Sequence, residues 1–205
     1  MGQAKTITII AEAHFLNMTD VNTGLESKFQ QKILELSGYF REDRFYYKNI
    51  YDFILREGKV YQSQPFTSEE RKFVIKRINS LNGSFAPNQC FSNSGKLAMC
   101  DSKNKIKYVE GFIFKEETGI PILHAWNEIN SKVIDITLIN RYGEYTIGSF
   151  EKDIAYSGAI FPTNYIRSLF FSKTKARSVL SDISDSVNLW PILKQPFTEV
   201  HSKSL

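Results

Sequence analysis

Apolar residues early in the chain recur at helical spacing. A helix is predicted over 25–37, ended by Gly38, because four apolar side chains fall on one of its faces: Leu25, Phe29, Ile33 and Leu36. A second helix is predicted to start at the capping-box pair Thr67 and Glu70, since an apolar stripe at the same spacing follows that pair. The portion 1–84 is therefore predicted to be mostly helical.

The spacing changes in the portion 85–175. A helix is predicted to begin at Gln89 and Cys90, with Cys90 in its first turn, because Pro87 and Asn88 interrupt the chain just before them. Beyond it, apolar, β-branched and aromatic residues alternate with period two, which predicts three antiparallel strands over 106–114, 121–129 and 132–138. Weaker patterns predict a strand over 142–147 and a short helix over 164–171.

These elements together describe an α+β protein. A chain of 205 residues is long enough to bury one sizeable core, so we expect a single domain over 1–205 in which helices from the first ninety residues pack on the sheet. A further short strand is predicted over 6–10 and a further helix within 39–55. The portion 176–205 is predicted to be a tail that wraps the surface or frays.

Composition and charge narrow the classes of function. No run approaches the roughly 18 consecutive apolar residues of a membrane span, so we expect a soluble protein with no membrane partner. The net charge is only +4, and the densest basic cluster has no aromatic stacking platform beside it, so we expect no nucleic-acid partner. The N terminus lacks the layout of an export signal, which makes the cytoplasm the expected location.

Two thiols and one histidine are candidates for chemistry. Cys90 and Cys100 would lie roughly 15 Å apart along a helix, beyond disulfide reach, so both are expected to be free in a reducing compartment. The first turn of a helix favours the thiolate form of cysteine, which makes Cys90 the candidate nucleophile. Cys100 is interpreted as a buried helix residue. Among the 3 histidines only His124 lies within a strand pattern, and it is the candidate base.

The predicted hairpin makes a geometric claim about the third member of the site. If Asn130 and Ser131 form a two-residue turn, His124 and Asp135 project from the same face of neighbouring strands, diagonally beside each other. A carboxylate in that position can hold the imidazole through its second nitrogen. Trp126 shares this face, and the opposite face is predicted to carry apolar residues: Leu123, Ala125, Ile134, Ile136 and Leu138.

These residues also carry a resemblance to a known family. The motif His-Ala-Trp at 124–126, followed by a short turn and by a strand that contains Asp135, resembles the histidine and aspartate strands of the transglutaminase-like branch of the papain-like cysteine hydrolase superfamily. The order is similar as well, with a cysteine at a helix start before them. The resemblance covers 89–137 and implies a papain-like core in which Cys90 is the nucleophile, His124 the base and Asp135 the orienting acid.

The sequence departs from that family pattern at the oxyanion donor. Papain-like enzymes often carry a glutamine several residues before the cysteine, whereas here Gln89 is directly adjacent. The backbone N–H of Cys90 is predicted to supply one donor. We further predict that Gln89, Trp126 and Tyr108 bind the substrate.

The predicted reaction is attack of a thiolate on an amide, ester or thioester carbonyl, after which water or an amine takes the acyl group. We expect an amide or peptide bond in a protein or peptide substrate, and no cofactor. Zinc is disfavoured because the two cysteines lack the usual short ligand spacing. Two alternatives stay open: an arylamine-type acyltransferase that uses a thioester donor with the same three residues, and a non-catalytic binding or inhibitor protein that acts on a host component.

Overall fold

The computed structural model describes residues 24–39, 46–139, 144–171, 178–180 and 197. The helices of the described residues are α1 (Gly24–Tyr39), α2 (Ile50–Glu57), α3 (Ser68–Ser80), α4 (Cys90–Cys100) and α5 (Thr163–Phe170). The strands are β1 (Lys59–Tyr61), β2 (Lys107–Lys115), β3 (Pro121–Ile129), β4 (Lys132–Ile139), β5 (Tyr145–Gly148) and β6 (Ile154–Phe161). They form one antiparallel sheet in the order β1-β6-β2-β3-β4-β5, so the protein is of the α+β class. The strand predicted over 6–10 lies outside the described residues.

Local sequence signals explain where helices begin and end. Before α3 the Thr67 hydroxyl accepts from the Glu70 N–H at 3.2 Å, and the Glu70 carboxylate accepts from the Thr67 N–H at 2.8 Å, so the predicted capping box is confirmed. Helix α4 begins at Cys90, as predicted. Helix α1 continues through Gly38 to Tyr39, so the predicted stop is wrong. Glycine permits a left-handed helix end but does not impose one.

The β3–β4 hairpin has the predicted two-residue turn. Asn130 and Ser131 both have positive φ, 50° and 62°, which is the signature of a type I′ turn. The register pairs Asn127 with Ile134. The turn chemistry therefore fixes which residues of the two strands share a face.

The two strands separate beyond this short ladder. Strand β4 has an irregularity in its register after Asp135, where it pairs with β5. A bulge of this kind changes the alternation of side chains along a strand. Leu138 consequently packs in the cluster that contains Trp126, and its predicted place on the face of Ile134 is wrong.

Strands β1 and β6 were not predicted from the sequence. Strand β6, IAYSGAIF, is rich in small residues that weaken a strand pattern. Packing explains those residues: a Cβ on Gly158 would lie 2.5 Å from a ring atom of Trp126, and one on Gly111 would lie 2.1 Å from the carbonyl oxygen of Ser157. Larger side chains are therefore excluded where β2, β6 and the tryptophan meet.

The helices cover one face of the sheet, which we call the outer face. Apolar residues of all five described helices pack there with residues of the strands, in two clusters. The opposite, inner face holds a third cluster to which no described helix contributes: Tyr61, Val109, Ile113, Trp126, Val133, Ile154 and Tyr156. None of the described helices combines the length and the apolarity that crossing a membrane requires.

Candidate active site

The first turn of α4 lies where β3 and β4 separate. The Ser94 hydroxyl donates to the carbonyl oxygen of Ala125 on β3 at 3.0 Å, and the Asn93 amide donates to the Thr137 hydroxyl on β4 at 3.1 Å. Both donors are buried. These two bonds hold the start of the helix against both strands and so fix the position of Cys90, the first residue of α4.

The three predicted catalytic side chains come together at this point. His124 Nε2 lies 2.6 Å from Asp135 Oδ2, which confirms the predicted contact between the two residues. The side chain of Cys90 lies close enough to His124 to help raise the pKa of its ring. Because Asp135 occupies Nε2, the other ring nitrogen is the one left for the thiol. Cys90 retains 9% of its exposed surface and His124 7%, whereas Asp135 retains none.

The carboxylate of Asp135 is held by more groups than the sequence indicated. Its Oδ1 accepts from the backbone N–H groups of Thr137 and Leu138, each at 2.9 Å, because the irregularity in β4 turns those groups back toward it. Its Oδ2 accepts from the Tyr156 hydroxyl at 3.1 Å in addition to contacting His124. Four donors therefore hold one buried carboxylate.

The electrostatics of the pair favour charge on both partners. Burial alone lowers the pKa of His124, but the negative charge of Asp135, the hydrogen bond with Asp135 and the nearby Cys90 side chain outweigh burial and raise that pKa to about 10. Burial alone raises the pKa of Asp135, whereas the charge of His124 and the hydrogen bonds to the carboxylate bring that pKa below its usual value. Both shifts favour the charged forms, an imidazolium beside a carboxylate.

Two of the three residues predicted to bind substrate are fully buried. Trp126 stacks on the His124 ring, with the ring centroids 6.3 Å apart and an interplanar angle of 16°. Tyr108 lies in the outer-face cluster that contains Cys90, and its hydroxyl donates to Glu110. Neither Trp126 nor Tyr108 exposes any surface, so neither can touch a substrate and those two predictions are corrected. Gln89 is exposed beside Cys90 and does not cap α4.

The second thiol lies at the other end of α4. The Cys100 Sγ donates to the Leu97 carbonyl oxygen at 3.1 Å, and burial raises the pKa of this thiol. No group of three or more His, Cys, Asp and Glu side chains among the described residues is arranged to hold a metal ion. Cys100 thus has a structural environment unlike that of Cys90.

The sequence did not predict that Asn93 and Ser94 anchor α4 or that Tyr156 is a partner of Asp135. A polar run near the start of a helix was visible, but the partners of these residues lie on strands far along the chain.

Comparison with family models, curated proteins and solved structures gave no significant match to this chain. The chemistry of the site is therefore argued from its own geometry.

Proposed function

We propose that the protein is a thiol-dependent hydrolase or acyl-transfer enzyme that cleaves an amide or peptide bond. The observation that carries this proposal is the continuous line of contacts from the Cys90 side chain through His124 to Asp135. A cationic imidazole beside a cysteine at a helix N terminus is the setting in which reactive thiolates occur. A core packed only for stability has no need of this buried ion pair, since buried charges are costly to desolvate.

In the proposed reaction the Cys90 thiolate attacks the carbonyl carbon of the substrate. The bond to nitrogen breaks, the proton on His124 passes to the leaving amine, and the acyl group stays on sulfur as a thioester. Water or an amine then attacks the thioester, loses a proton to His124 and releases the thiolate. The backbone N–H of Cys90 is the proposed first oxyanion donor, and Gln89 is the exposed side chain nearest to it in sequence.

The arrangement of elements supports a papain-like core of the transglutaminase-like type. A helix that opens with Cys90 packs on an antiparallel sheet, and His124 and Asp135 lie on neighbouring strands of that sheet. Both described cysteines are free thiols, which fits a reducing compartment, and we propose the cytoplasm as its location.

One edge of β3 favours a peptide as the substrate. Strand β2 borders β3 along most of its length, whereas β4 pairs with it only at 127–129. The carbonyl oxygen of Ala125 points toward the side of β3 that β4 leaves unpaired, where it accepts from the Ser94 hydroxyl. Because backbone groups two residues apart in a strand point to the same side, the N–H and carbonyl of Leu123 point there as well. Within the described chain no strand pairs with those groups of Leu123. An extended peptide added there would run beside His124.

An activated ester tests the first half of the reaction without knowledge of the natural substrate. p-Nitrophenyl acetate releases p-nitrophenolate when a thiolate takes its acetyl group. We expect a burst of p-nitrophenolate and the mass of one acetyl group on the peptide that contains Cys90. Cys90→Ala should abolish both signals and Cys100→Ala should retain them. Equal loss in both variants, or acetylation only elsewhere, would contradict the proposal.

A further inference from the structure

The hydroxyl of Tyr156 shares an acceptor with the histidine of the site. It lies 3.1 Å from Asp135 Oδ2, the same oxygen that His124 Nε2 approaches at 2.6 Å. Tyr156 is fully buried on the inner face of the sheet, so no solvent competes for this bond. A donor on that oxygen limits how the carboxylate can rotate relative to the imidazole.

The sheet is built to let this tyrosine reach the site. Strand β6 is separated from β4 by β2 and β3, so the contact requires the sheet to curl toward its inner face. In the row of residues that crosses the sheet beside His124, the next two positions are Gly111 and Gly158. Their lack of side chains leaves room for the Trp126 ring close to the inner face, since a Cβ on Gly158 would lie 2.5 Å from that ring.

Tyr156 also supports the histidine through its ring. Its ring packs edge-on against Trp126, with centroids 5.2 Å apart and an interplanar angle of 69°. Trp126 in turn stacks on His124. One residue thus contacts the carboxylate that binds the imidazole and the indole on which the imidazole stacks.

We propose that Tyr156 is a positioning residue that holds Asp135, and through it His124, in the orientation that Cys90 requires. The effect on Cys90 rests on the proposed function, whereas the contacts of Tyr156 with Asp135 and Trp126 do not depend on it. It adds a fourth side chain to the site, one that acts through Asp135 and touches no reacting atom. A merely structural tyrosine would contribute packing alone, and its hydroxyl would be dispensable.

Tyr156→Phe removes the hydroxyl and keeps the ring, and Tyr61→Phe is the matched control. Tyr61 on β1 is the register partner of Tyr156 and is equally buried. Its ring also packs edge-on against Trp126, with centroids 5.5 Å apart, but its hydroxyl lies beside Glu128 rather than Asp135. The first readout is the NMR resonance of the His124 Nε2 proton. We expect Tyr156→Phe to shift this resonance and Tyr61→Phe to leave it unchanged. An unchanged resonance in Tyr156→Phe, or equal shifts in both variants, would overturn the proposal.

The second readout is the rate at which iodoacetamide alkylates Cys90. Tyr156→Phe should slow it by about three- to tenfold, because a misoriented group in a catalytic site costs rate. In protein that already carries Asp135→Asn, Tyr156→Phe should not slow the alkylation of Cys90 any further. If Tyr156→Phe slows alkylation as much in that protein as it does alone, the proposal is overturned, even if Tyr156→Phe also lowers stability. If Cys90 of the unmodified protein is no more reactive than Cys100, the proposed function fails, and the resonance of His124 still decides the role of Tyr156.

Discussion

His124 Nε2 lies 2.6 Å from Asp135 Oδ2, and the carboxylate of Asp135 is completely withdrawn from solvent. Backbone N–H groups of Thr137 and Leu138 bind the other carboxylate oxygen. Every hydrogen-bonding partner of Asp135 among the described residues is thus a donor. This environment suits a carboxylate, whose two oxygens both accept hydrogen bonds. The amide of an asparagine has the same shape, but its NH2 group would face one of these donors and could not accept from it.

Asp135→Asn is therefore expected to lower both reactivity and stability. The rate of Cys90 acetylation by p-nitrophenyl acetate should fall by at least about tenfold, because the imidazolium loses its counter-charge and the ring is no longer held in a fixed orientation. The free energy of unfolding should fall by about 1–3 kcal/mol, because the buried amide leaves donors unpaired. The exposed Glu117→Gln makes the same charge change and should alter neither quantity. Undiminished acetylation in Asp135→Asn would reduce the site to Cys90 and His124.

The raised pKa of His124 predicts how stability depends on pH. The pKa of the ring is 6.5 in the unfolded reference and about 10 in the fold, so folding favours the protonated ring. The stability that this adds is fully present below about pH 6.5 and is lost as the pH rises through about 10. The lowered pKa of Asp135 acts in the opposite direction, and its contribution is lost as the pH falls below 3.8.

His124→Gln isolates this titration. The difference in unfolding free energy between the unmodified protein and His124→Gln should shrink between about pH 6.5 and pH 10, with a slope of at most about 1.4 kcal/mol per pH unit. Urea unfolding at a series of pH values measures it. A difference that does not change over this range would mean that the ring is neutral in the folded protein.

Close packing of Trp126 on β6 predicts contrasting effects for two glycines. Gly158→Ala would place a Cβ 2.5 Å from the Trp126 ring and 2.7 Å from the Glu110 carbonyl oxygen, so it should destabilise by about 1–3 kcal/mol. Gly38→Ala lies inside α1 with no atom within 4 Å of the new Cβ, and it should stabilise by about 0.5–1 kcal/mol. Urea unfolding compares them. Similar stability changes in the two variants would rule out tight packing at Gly158.

The hairpin could be predicted from the sequence because its determinants are local. Asn130 and Ser131 separate two alternating strands, and a two-residue turn fixes the register and hence the shared face of His124 and Asp135. The start of α4 at Cys90 follows equally from nearby turn residues. Helix caps, tight turns and strand periodicity all act within a few residues, which is the range that a single sequence reveals.

The parts that could not be predicted depend on contacts between distant segments. Tyr156 meets Asp135 only because the sheet curls across β2 and β3, and the small residues of β6 conceal the strand that carries it. The burial of Trp126 and Tyr108 could not be predicted for a related reason. The alternation of apolar and polar residues along a strand assigns a side chain to one face of the sheet but does not reveal what covers that face. The sequence therefore predicts substrate contacts at two aromatic residues that are buried in the structure.

The relative reactivity of the two thiols toward iodoacetamide at neutral pH tests the central claim most directly. Accessibility alone favours Cys100, which is partly exposed, over Cys90, which keeps only 9% of its surface. If His124 activates Cys90, mass spectrometry of the digested protein should find Cys90 alkylated at least about tenfold faster than Cys100, and His124→Ala should abolish that preference. Faster alkylation of Cys100, or a Cys90 rate that His124→Ala leaves unchanged, would contradict the assignment of Cys90 as an activated nucleophile.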